Sequence, residues 1–478
     1  MSAKVIESRF LNSQIKVSLF LGLILILACV LRFYHLDFQS LWYDEVHSTN
    51  GADPDLSFGE IVEYSRTDQP PLFFLVLHYC FKIFGFNDLV ARSVVAVIGV
   101  TGVVAMFFLG KEIKNVNLGL ISALLTAINF FHISYSQEVR FYSLLFLLSV
   151  FSFFYFIRTL KSFRVLDIVL YIVCISAAIY THYYGMVLLL AQILIYLIFF
   201  ILKPAKKMFY TGLLSGFVIL IIILPWLPQY FSDNQIANFW IEPVSFPRFI
   251  VAYFYHYFES IPVAIVAALV IVVYIARKIF ARIKQEIDID AAIYIVIGWI
   301  AFTYATPYIY SFFFQPMMVV RYTIITLPAI IILLSLAIVS FKKNIPSVLL
   351  IVIFSFSILN LFVGIHYYST IKKEQLREVA KEVIEANEQP SVIFSYYAWH
   401  YNYYFKSLGS TQRVIHPESV KYETELSKVD HVWLIQCHED NIGATNEQLN
   451  LIKKDFVQVK ESIYTGARGV LFKRATAH

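Results

Sequence analysis

Charged residues are scarce in this sequence of 478 residues. Only 15% of the residues are Asp, Glu, Lys or Arg, against about 25% in an average soluble domain, whereas 59% are hydrophobic. So few polar residues cannot cover the surface of a soluble protein with this much apolar material. The composition therefore excludes a soluble globular protein and a disordered chain.

Cysteine is also scarce, with four residues in the whole chain. Cys29, Cys80 and Cys174 lie in apolar runs and Cys437 lies far from them, so no pair has the spacing of a disulfide framework or a zinc site. This excludes a disulfide scaffold, and we interpret the four thiols as small hydrophobic residues. The net charge of +5 comes from short basic clusters between apolar runs, which does not indicate nucleic-acid binding.

Long apolar runs are abundant in the sequence. The length of each run is close to that of a helix that crosses a bilayer, which needs about 20 residues. They are continuous rather than alternating, which favours helices over a β-barrel. The eleven runs are 17–33, 89–110, 118–133, 141–158, 166–181, 185–202, 208–227, 261–279, 291–306, 322–340 and 346–364. A shorter run, 72–84, is predicted to lie at the interface. The fold class is therefore an α-helical polytopic membrane protein with about 11 to 13 transmembrane helices.

The basic residues predict how these helices are oriented. With the N-terminus in the cytoplasm and the first run kept as an uncleaved span, the five inner loops hold fourteen Lys and Arg residues. The outer loops after the second span hold three, so the positive-inside rule is satisfied. This orientation places the loop 34–71 and the tail after residue 365 on the outer face.

The tail differs in composition from the rest of the chain, and it divides the sequence into a membrane domain, 1–365, and a second domain, 366–478. A charged stretch from Lys372 to Asn387 has the pattern of a helix. Three segments rich in β-branched and aromatic residues are predicted strands, namely Ser391–Tyr397, His431–Gln436 and Gly469–Lys473. The tail is therefore predicted to be a small extracytoplasmic α/β domain.

Two adjacent carboxylates, Asp44 and Glu45, lie in the first outer loop among aromatic residues. Exposed loop carboxylates are ordinarily only solvated. A carboxylate at a membrane interface is desolvated instead, which raises its pKa and suits it to act as a general base. Adjacent residues point in different directions, so the two carboxylates are expected to have different roles.

Two further acidic positions lie at predicted ends of membrane segments. Asp68 precedes Gln69 and two prolines, which restrict the backbone there, and it is either a site residue or a cap for the helix that follows. Glu138 and Arg140 open the fourth span, where charges are expensive unless they are paired or functional. An ion pair that merely anchors the helix end is the alternative for these two residues.

His182 and Tyr183 lie in a tight outer turn, and Arg321 and Tyr322 open the tenth span. His182 is a candidate metal ligand or a polar anchor, and no pair of histidines has the spacing of a metal motif. The guanidinium of Arg321 suits a lipid phosphate, although a snorkelling anchor is an equal alternative.

Together these motifs resemble the GT-C superfamily of polytopic glycosyltransferases, and most closely the bacterial glycosyltransferase family 39, the relatives of protein O-mannosyltransferases and of the aminoarabinose transferase. The likeness covers about residues 15–340 and departs at Gln69, where many relatives have His or Lys. It is carried by Asp44-Glu45, by the segment from Asp68 through the two prolines to Phe74, by Gln137–Arg140 and by Arg321-Tyr322.

The resemblance implies an inverting glycosyltransferase that takes a sugar from a polyprenyl-phosphate donor at the outer face of a bacterial inner membrane, with 34–71 as its catalytic loop. It implies Asp44, Glu45, Asp68 and Glu138 as catalytic residues. It implies that the substrate is bound by Gln69, Arg140, His182, Tyr183, Arg321 and Tyr322. The motifs require no cofactor, and they leave open whether the enzyme uses a divalent metal. The partners are the donor, membrane lipid and an acceptor of unknown kind.

Three other functions fit parts of the sequence. A lipid-linked sugar transporter would place polar groups near the middle of the bilayer, whereas the spans here are apolar at their centres. A membrane polysaccharide polymerase would use similar substrates and differs only in its product. A scaffold that presents the tail would need far fewer spans.

Overall fold

The computed structural model describes residues 3–230, 241, 245–283, 291–437 and 444–475. The chain folds into two compact units. The membrane unit comprises Met1–Tyr34, Val62–Phe73 and Ser93–Tyr368, and the sheet unit comprises His35–Ile61, Phe74–Arg92 and Ser369–His478.

The membrane unit is built from helices. They are α1 (Ala3–Phe33), α6 (Val116–Ala127), α7 (Phe130–Tyr135), α8 (Tyr142–Ser162), α9 (Val165–Ile179), α10 (Tyr184–Leu202), α11 (Lys206–Ile223), α12 (Leu227–Tyr230), α13 (Phe246–His256), α14 (Ile261–Ile283), α15 (Ala291–Phe313), α16 (Leu327–Val339) and α17 (Ile345–Leu359). A 3₁₀ helix, Val320–Ile325, precedes α16, and a π-helical turn, Asn360–Gly364, follows α17. The residue ranges of the two units divide α3 (Phe58–Ser65), α4 (Leu72–Phe84) and α5 (Asp88–Ile113) between them.

Eight helices in the described part of the chain are long and apolar enough to cross a membrane. All eleven predicted runs are helical, but three of them form shorter helices, Val116–Ala127, Val165–Ile179 and Leu327–Val339. The short run at 72–84 forms α4, with the same bounds. The prediction of a multi-pass α-helical membrane protein is therefore confirmed, and eight of the eleven predicted runs form full-length helices.

A local cap explains why the predicted run 118–133 gives a short helix. In the run 118–133, the Asn129 side chain accepts a hydrogen bond from the backbone N–H of His132 at 2.9 Å, and a second helix, α7, begins there. A side-chain oxygen at this position satisfies a donor that the helix itself leaves unpaired. In the run 322–340, Pro328 lies in the first turn of α16, where its fixed φ and missing N–H are tolerated.

Helix α16 is the buried centre of the membrane unit, because almost all of its residues are inaccessible. Trp299 of α15 lies beside it and donates a hydrogen bond from Nε1 to the carbonyl of Ile325 at 2.9 Å. The Trp299 indole stacks on Phe153 of α8 with ring centroids 3.6 Å apart. These contacts fix the 3₁₀ segment that carries Arg321 and Tyr322.

The sheet unit contains one five-stranded sheet in the order β2-β1-β3-β5-β4. Strands β1 (Ser391–Phe394), β2 (Val414–Ile415) and β3 (His431–Cys437) are parallel, whereas β5 (Ala467–Arg474) runs antiparallel to both β3 and β4 (Phe456–Tyr464). The accompanying helices are α2 (Tyr43–Asn50), α18 (Leu376–Ala386), α19 (Ala398–Ser407), α20 (Tyr422–Leu426) and α21 (Asn446–Asp455), with a 3₁₀ turn at Pro417–Ser419.

The predicted α/β character of the tail is confirmed, and all three predicted strands are present. Strand β3 is buried along its whole length, which is why its apolar pattern is continuous. Strand β4 was missed because it alternates little and is exposed over most of its length. On one side of the sheet, α18 buries Leu376, Val379 and Val383 along a single apolar stripe.

Candidate functional site

An ion pair between Asp68 and Arg140 joins two of the candidate residues of the membrane unit. Arg140 Nη1 is 3.2 Å from Asp68 Oδ2, although the two residues are 72 positions apart. The other Asp68 oxygen accepts a hydrogen bond from Gln69 Nε2 at 3.3 Å. The two prolines follow, and the backbone N–H of Leu72 bonds the carbonyl of Tyr180 at 2.9 Å. Asp68 is thus fixed between the start of α4 and the end of α9.

Aromatic rings connect this ion pair to Arg321. The Arg140 guanidinium lies 5.1 Å from the centroid of Phe141, which stacks on the His182 imidazole at 4.3 Å. His182 also contacts the ring of Tyr322, with ring centroids 4.6 Å apart, and the Arg321 guanidinium lies 5.7 Å from the Tyr322 ring. We call Asp68, Arg140, His182, Arg321 and Tyr322 the membrane-unit cluster. It brings together five of the residues that the sequence singles out.

His182 is neutral in this cluster. Burial lowers the pKa of its imidazole to about 3, and the positive charges of Arg140 and Arg321 act in the same direction against the opposing effect of Asp68. Its Nδ1 accepts a hydrogen bond from the backbone N–H of Tyr184 at 3.0 Å. A neutral ring whose Nδ1 accepts carries its proton on Nε2.

The Nε2–H of His182 is a buried donor that lacks a hydrogen-bond acceptor among the described residues. The side chain is 2% exposed, so bulk water does not satisfy it either. Leaving such a donor unpaired costs about 1–3 kcal/mol. A donor of this kind, close to two guanidinium groups, suits an anionic oxygen of a ligand.

The turn that carries His182 depends on Gly185, at the start of α10. A Cβ atom at this position would lie 2.5 Å from backbone atoms of Ala178 and Ile179, at the end of α9. Only glycine allows the two helix ends to approach so closely. Tyr183, on the same turn, packs its ring against Tyr230 at 4.9 Å.

Glu138 lies between α7 and α8, and its backbone carbonyl accepts a hydrogen bond from the Arg140 N–H at 2.7 Å. Its charge is close to the phenol of Tyr135: burial raises the pKa of that phenol, Glu138 raises it further, and Arg321 opposes this. Glu138 and Arg321 therefore both lie near Tyr135. The structure thus places Glu138 beside the cluster.

Asp44 and Glu45 lie in the sheet unit, in the first turn of α2, and they have different environments. Asp44 is half-buried, whereas Glu45 is fully buried. The Glu45 carboxylate pairs with Arg92 at 3.0 Å and with Lys373 at 2.8 Å. Burial alone would raise the pKa of Glu45, but the two cations lower it to about 2. The expectation of a raised pKa is therefore wrong for Glu45, because the two cations outweigh the effect of desolvation.

Reasoning from the sequence missed Arg92 and Lys373, the two partners of Glu45. Arg92 offered a signal, because it is a charged residue inside the predicted span 89–110, and such residues are usually paired or functional. Lys373 offered none, since it is one of several charged residues in a helical stretch. Among the described residues, no group of three or more His, Cys, Asp or Glu side chains is arranged to hold a metal ion.

Comparison with protein families finds one match within the chain. Residues 68–228 match the family described as dolichyl-phosphate-mannose-protein mannosyltransferase. The matched segment is about a third of the chain and includes Asp68, Glu138, Arg140 and His182. No curated protein sequence gives a significant match.

Solved structures share the fold over nearly the whole chain. ArnT from Cupriavidus metallidurans in its apo state has a TM-score of 0.65 at 11% identity, covering 96% of this chain and 98% of that one. The same protein bound to undecaprenyl phosphate gives a TM-score of 0.60 at 11% identity, with 95% and 97% covered. The apo oligosaccharyltransferase of Archaeoglobus fulgidus gives 0.56 at 11% identity, with 95% and 74% covered. The resemblance to the GT-C superfamily that the motifs predict is confirmed.

Proposed function

We propose that this protein transfers a sugar from a polyprenyl-phosphate-linked donor to an acceptor at the membrane. The observation that carries the proposal is the membrane-unit cluster, in which Arg140, Arg321 and the Nε2–H of His182 lie together in a largely buried setting. Two guanidiniums and one neutral donor form a suitable site for a phosphodiester, which is anionic and remains anionic as the leaving phosphate.

Two comparisons support this choice of donor. The matching family is described by its use of dolichyl-phosphate-mannose, and the ArnT that shares the fold has been solved with undecaprenyl phosphate. A prenyl tail also explains why a transferase would need so many membrane helices, since the tail must stay in an apolar phase.

Each cluster residue has a proposed role. Arg140 and Arg321 bind the donor phosphate, and Asp68 orients Arg140 through their ion pair. His182 donates from Nε2 to a phosphate oxygen, while Tyr183 and Tyr322 contact the substrate beside it. Gln69 holds Asp68 through its amide. Glu138, which lies near Tyr135, acts on the reacting groups of the donor and the acceptor.

The chemistry requires a base for the acceptor, and we assign it to Asp44. The base removes the proton of the acceptor hydroxyl, whose oxygen attacks the anomeric carbon of the sugar. The bond from that carbon to the phosphate oxygen breaks, and the polyprenyl phosphate leaves with the electron pair. One displacement of this kind inverts the anomeric configuration. We propose that the reaction occurs at the outer face of a bacterial inner membrane, as the basic residues predict.

The test is a transfer assay with purified protein in detergent micelles. Polyprenyl-phosphate mannose, glucose and aminoarabinose are supplied in turn with a membrane extract as the source of acceptor, and consumption of the donor is followed by mass spectrometry. Wild type is expected to consume at least one donor, and Asp44→Asn is expected to lose about 10²–10⁴-fold in rate, the usual contribution of a general base. A wild type that folds and binds polyprenyl phosphate but consumes no donor would favour a transporter instead.

A further inference from the structure

A short segment before α18 is bonded to the segment before α2 within the sheet unit. The side-chain oxygen of Gln39 accepts the backbone N–H groups of Lys372 at 2.7 Å and Lys373 at 2.9 Å. Ser40 Oγ donates to the carbonyl of Glu374 at 2.7 Å. We call residues 372–374 the strap.

The strap also bonds the first turn of α2. The carboxylate of Glu374 accepts the backbone N–H of Tyr43 at 3.1 Å, and Lys373 Nζ lies 2.8 Å from Glu45 Oε2. Both contacts reach residues that flank Asp44. The strap therefore restrains the helix on either side of the proposed base.

Arg92 completes the restraint from a second side. It bonds the Glu45 carboxylate and also the backbone carbonyls of Leu36 and Ser40, each at 3.0 Å, and that of Gln39. Glu45 in turn accepts the backbone N–H of Trp42 at 3.2 Å, which closes the start of α2. Glu45 is fully buried and held by three donors, so its role is to hold the helix rather than to meet a substrate.

We propose that Glu45 and Lys373 are positioning residues, and that the strap fixes the first turn of α2 so that Asp44 keeps one orientation. This inference rests on the proposed function for Asp44 as the base. It gives the tail, residues 366–478, a part in the reaction. A base that is displaced by about 1 Å costs about 10²-fold in rate, so the strap acts on turnover and leaves donor binding unchanged.

The test compares three variants of the full chain. Lys373→Met removes the cation, Lys373→Arg restores it, and Lys381→Met is the matched control, because Lys381 is exposed on α18. We expect Lys373→Met to lower kcat about 10–100-fold with the donor KM within about twofold of wild type. Lys373→Arg is expected to recover most of kcat, and Lys381→Met to match wild type.

Hydrogen exchange separates this inference from the proposed function. Amides of residues 43–50 should exchange faster in Lys373→Met than in Lys381→Met, whether or not the protein is a transferase. Gln39→Ala, which releases the strap without leaving a buried charge, should have the same effect. Equal exchange in all variants overturns the inference even if wild type is active. A loss of kcat that Lys373→Arg does not restore, or a loss that falls on donor KM, overturns it as well. An inactive wild type with faster exchange in Lys373→Met overturns only the proposed function.

Discussion

Each of the two units holds a buried group of charged and polar residues. The two groups differ in whether their hydrogen-bonding atoms all have partners within the chain. In the sheet unit, the carboxylate of Glu45 is held by Arg92, Lys373 and a backbone N–H. In the membrane-unit cluster, the Nε2–H of His182 is buried and has no acceptor among the described residues. A buried network whose members are satisfied within the chain stabilises the fold, whereas a buried donor left over indicates a ligand. The network around Glu45 therefore stabilises the fold, whereas the membrane-unit cluster is suited to bind a ligand.

The largest effect is expected from breaking the network of Glu45. Arg92→Met leaves the buried carboxylate with one cation fewer and releases three backbone carbonyls. Losing one partner of a buried ion pair costs about 3–5 kcal/mol in the free energy of unfolding. Thermal unfolding in detergent measures it, with Arg413→Met as the control, since Arg413 is an exposed arginine of the same unit. Equal melting temperatures for the two variants would show that the network does not stabilise the sheet unit.

A smaller effect is expected from displacing the turn of His182. Gly185→Ala places a methyl group 2.5 Å from backbone atoms of Ala178 and Ile179, and such overpacking costs about 1–3 kcal/mol. Gly216→Ala is the matched control, because a Cβ atom at that helical position meets nothing within 4 Å. The control should melt at or above the temperature of wild type, since alanine favours a helix over glycine. A Gly185→Ala variant that is as stable as Gly216→Ala would contradict the close approach.

The smallest expected effect is the pH dependence of the free energy of unfolding. His182 and Glu45 contribute to it from different starting pH values. The pKa of His182 is about 3 in the folded protein against an ordinary 6.5, so the unfolded state binds more protons between these values. The free energy of unfolding therefore decreases as the pH is lowered through this range, by about 1 kcal/mol from pH 6.5 to 5.5. The pKa of Glu45 is about 2 against 4.5, so its contribution is lost only below pH 4.5.

The variant His182→Phe checks this assignment, because phenylalanine can keep the ring contacts with Phe141 and Tyr322 but cannot bind a proton. Its stability should fall less than that of wild type between pH 6.5 and 4.5, a range in which Glu45 does not yet titrate. Parallel curves across the upper range would show that His182 is not the group that titrates.

Hydropathy predicted the membrane helices well, because each span must be apolar over its length whatever its neighbours are. It could not predict that Asn129 starts a new helix, which depends on a local cap, or that α16 is short because a 3₁₀ helix, Val320–Ile325, precedes it. In the sheet unit, the order β2-β1-β3-β5-β4 depends on pairings between distant strands, which a local pattern does not contain. The strands themselves were found where they are buried and missed where they are exposed.

The candidate residues were identifiable by type and location, but their partners were not. Asp68 and Arg140 are both unusual at the edge of a membrane segment, yet their ion pair joins positions 72 residues apart. The sequence predicted different roles for Asp44 and Glu45, but it could not predict which groups surround each carboxylate. The structure shows that Glu45 alone is fully buried between two cations, because adjacent positions of a helix face different ways.

The most direct measurement is the binding of polyprenyl phosphate to the purified protein, since it tests whether the membrane-unit cluster is the binding site. Wild type, Arg140→Gln, His182→Phe and Lys373→Met are compared by native mass spectrometry at several lipid concentrations. A hydrogen bond to a charged group contributes about 1.5–3 kcal/mol, so the first two variants should bind at least about tenfold more weakly. Lys373→Met should bind within about twofold of wild type. Wild-type affinity in Arg140→Gln and His182→Phe, or an equal loss in Lys373→Met, would contradict the account.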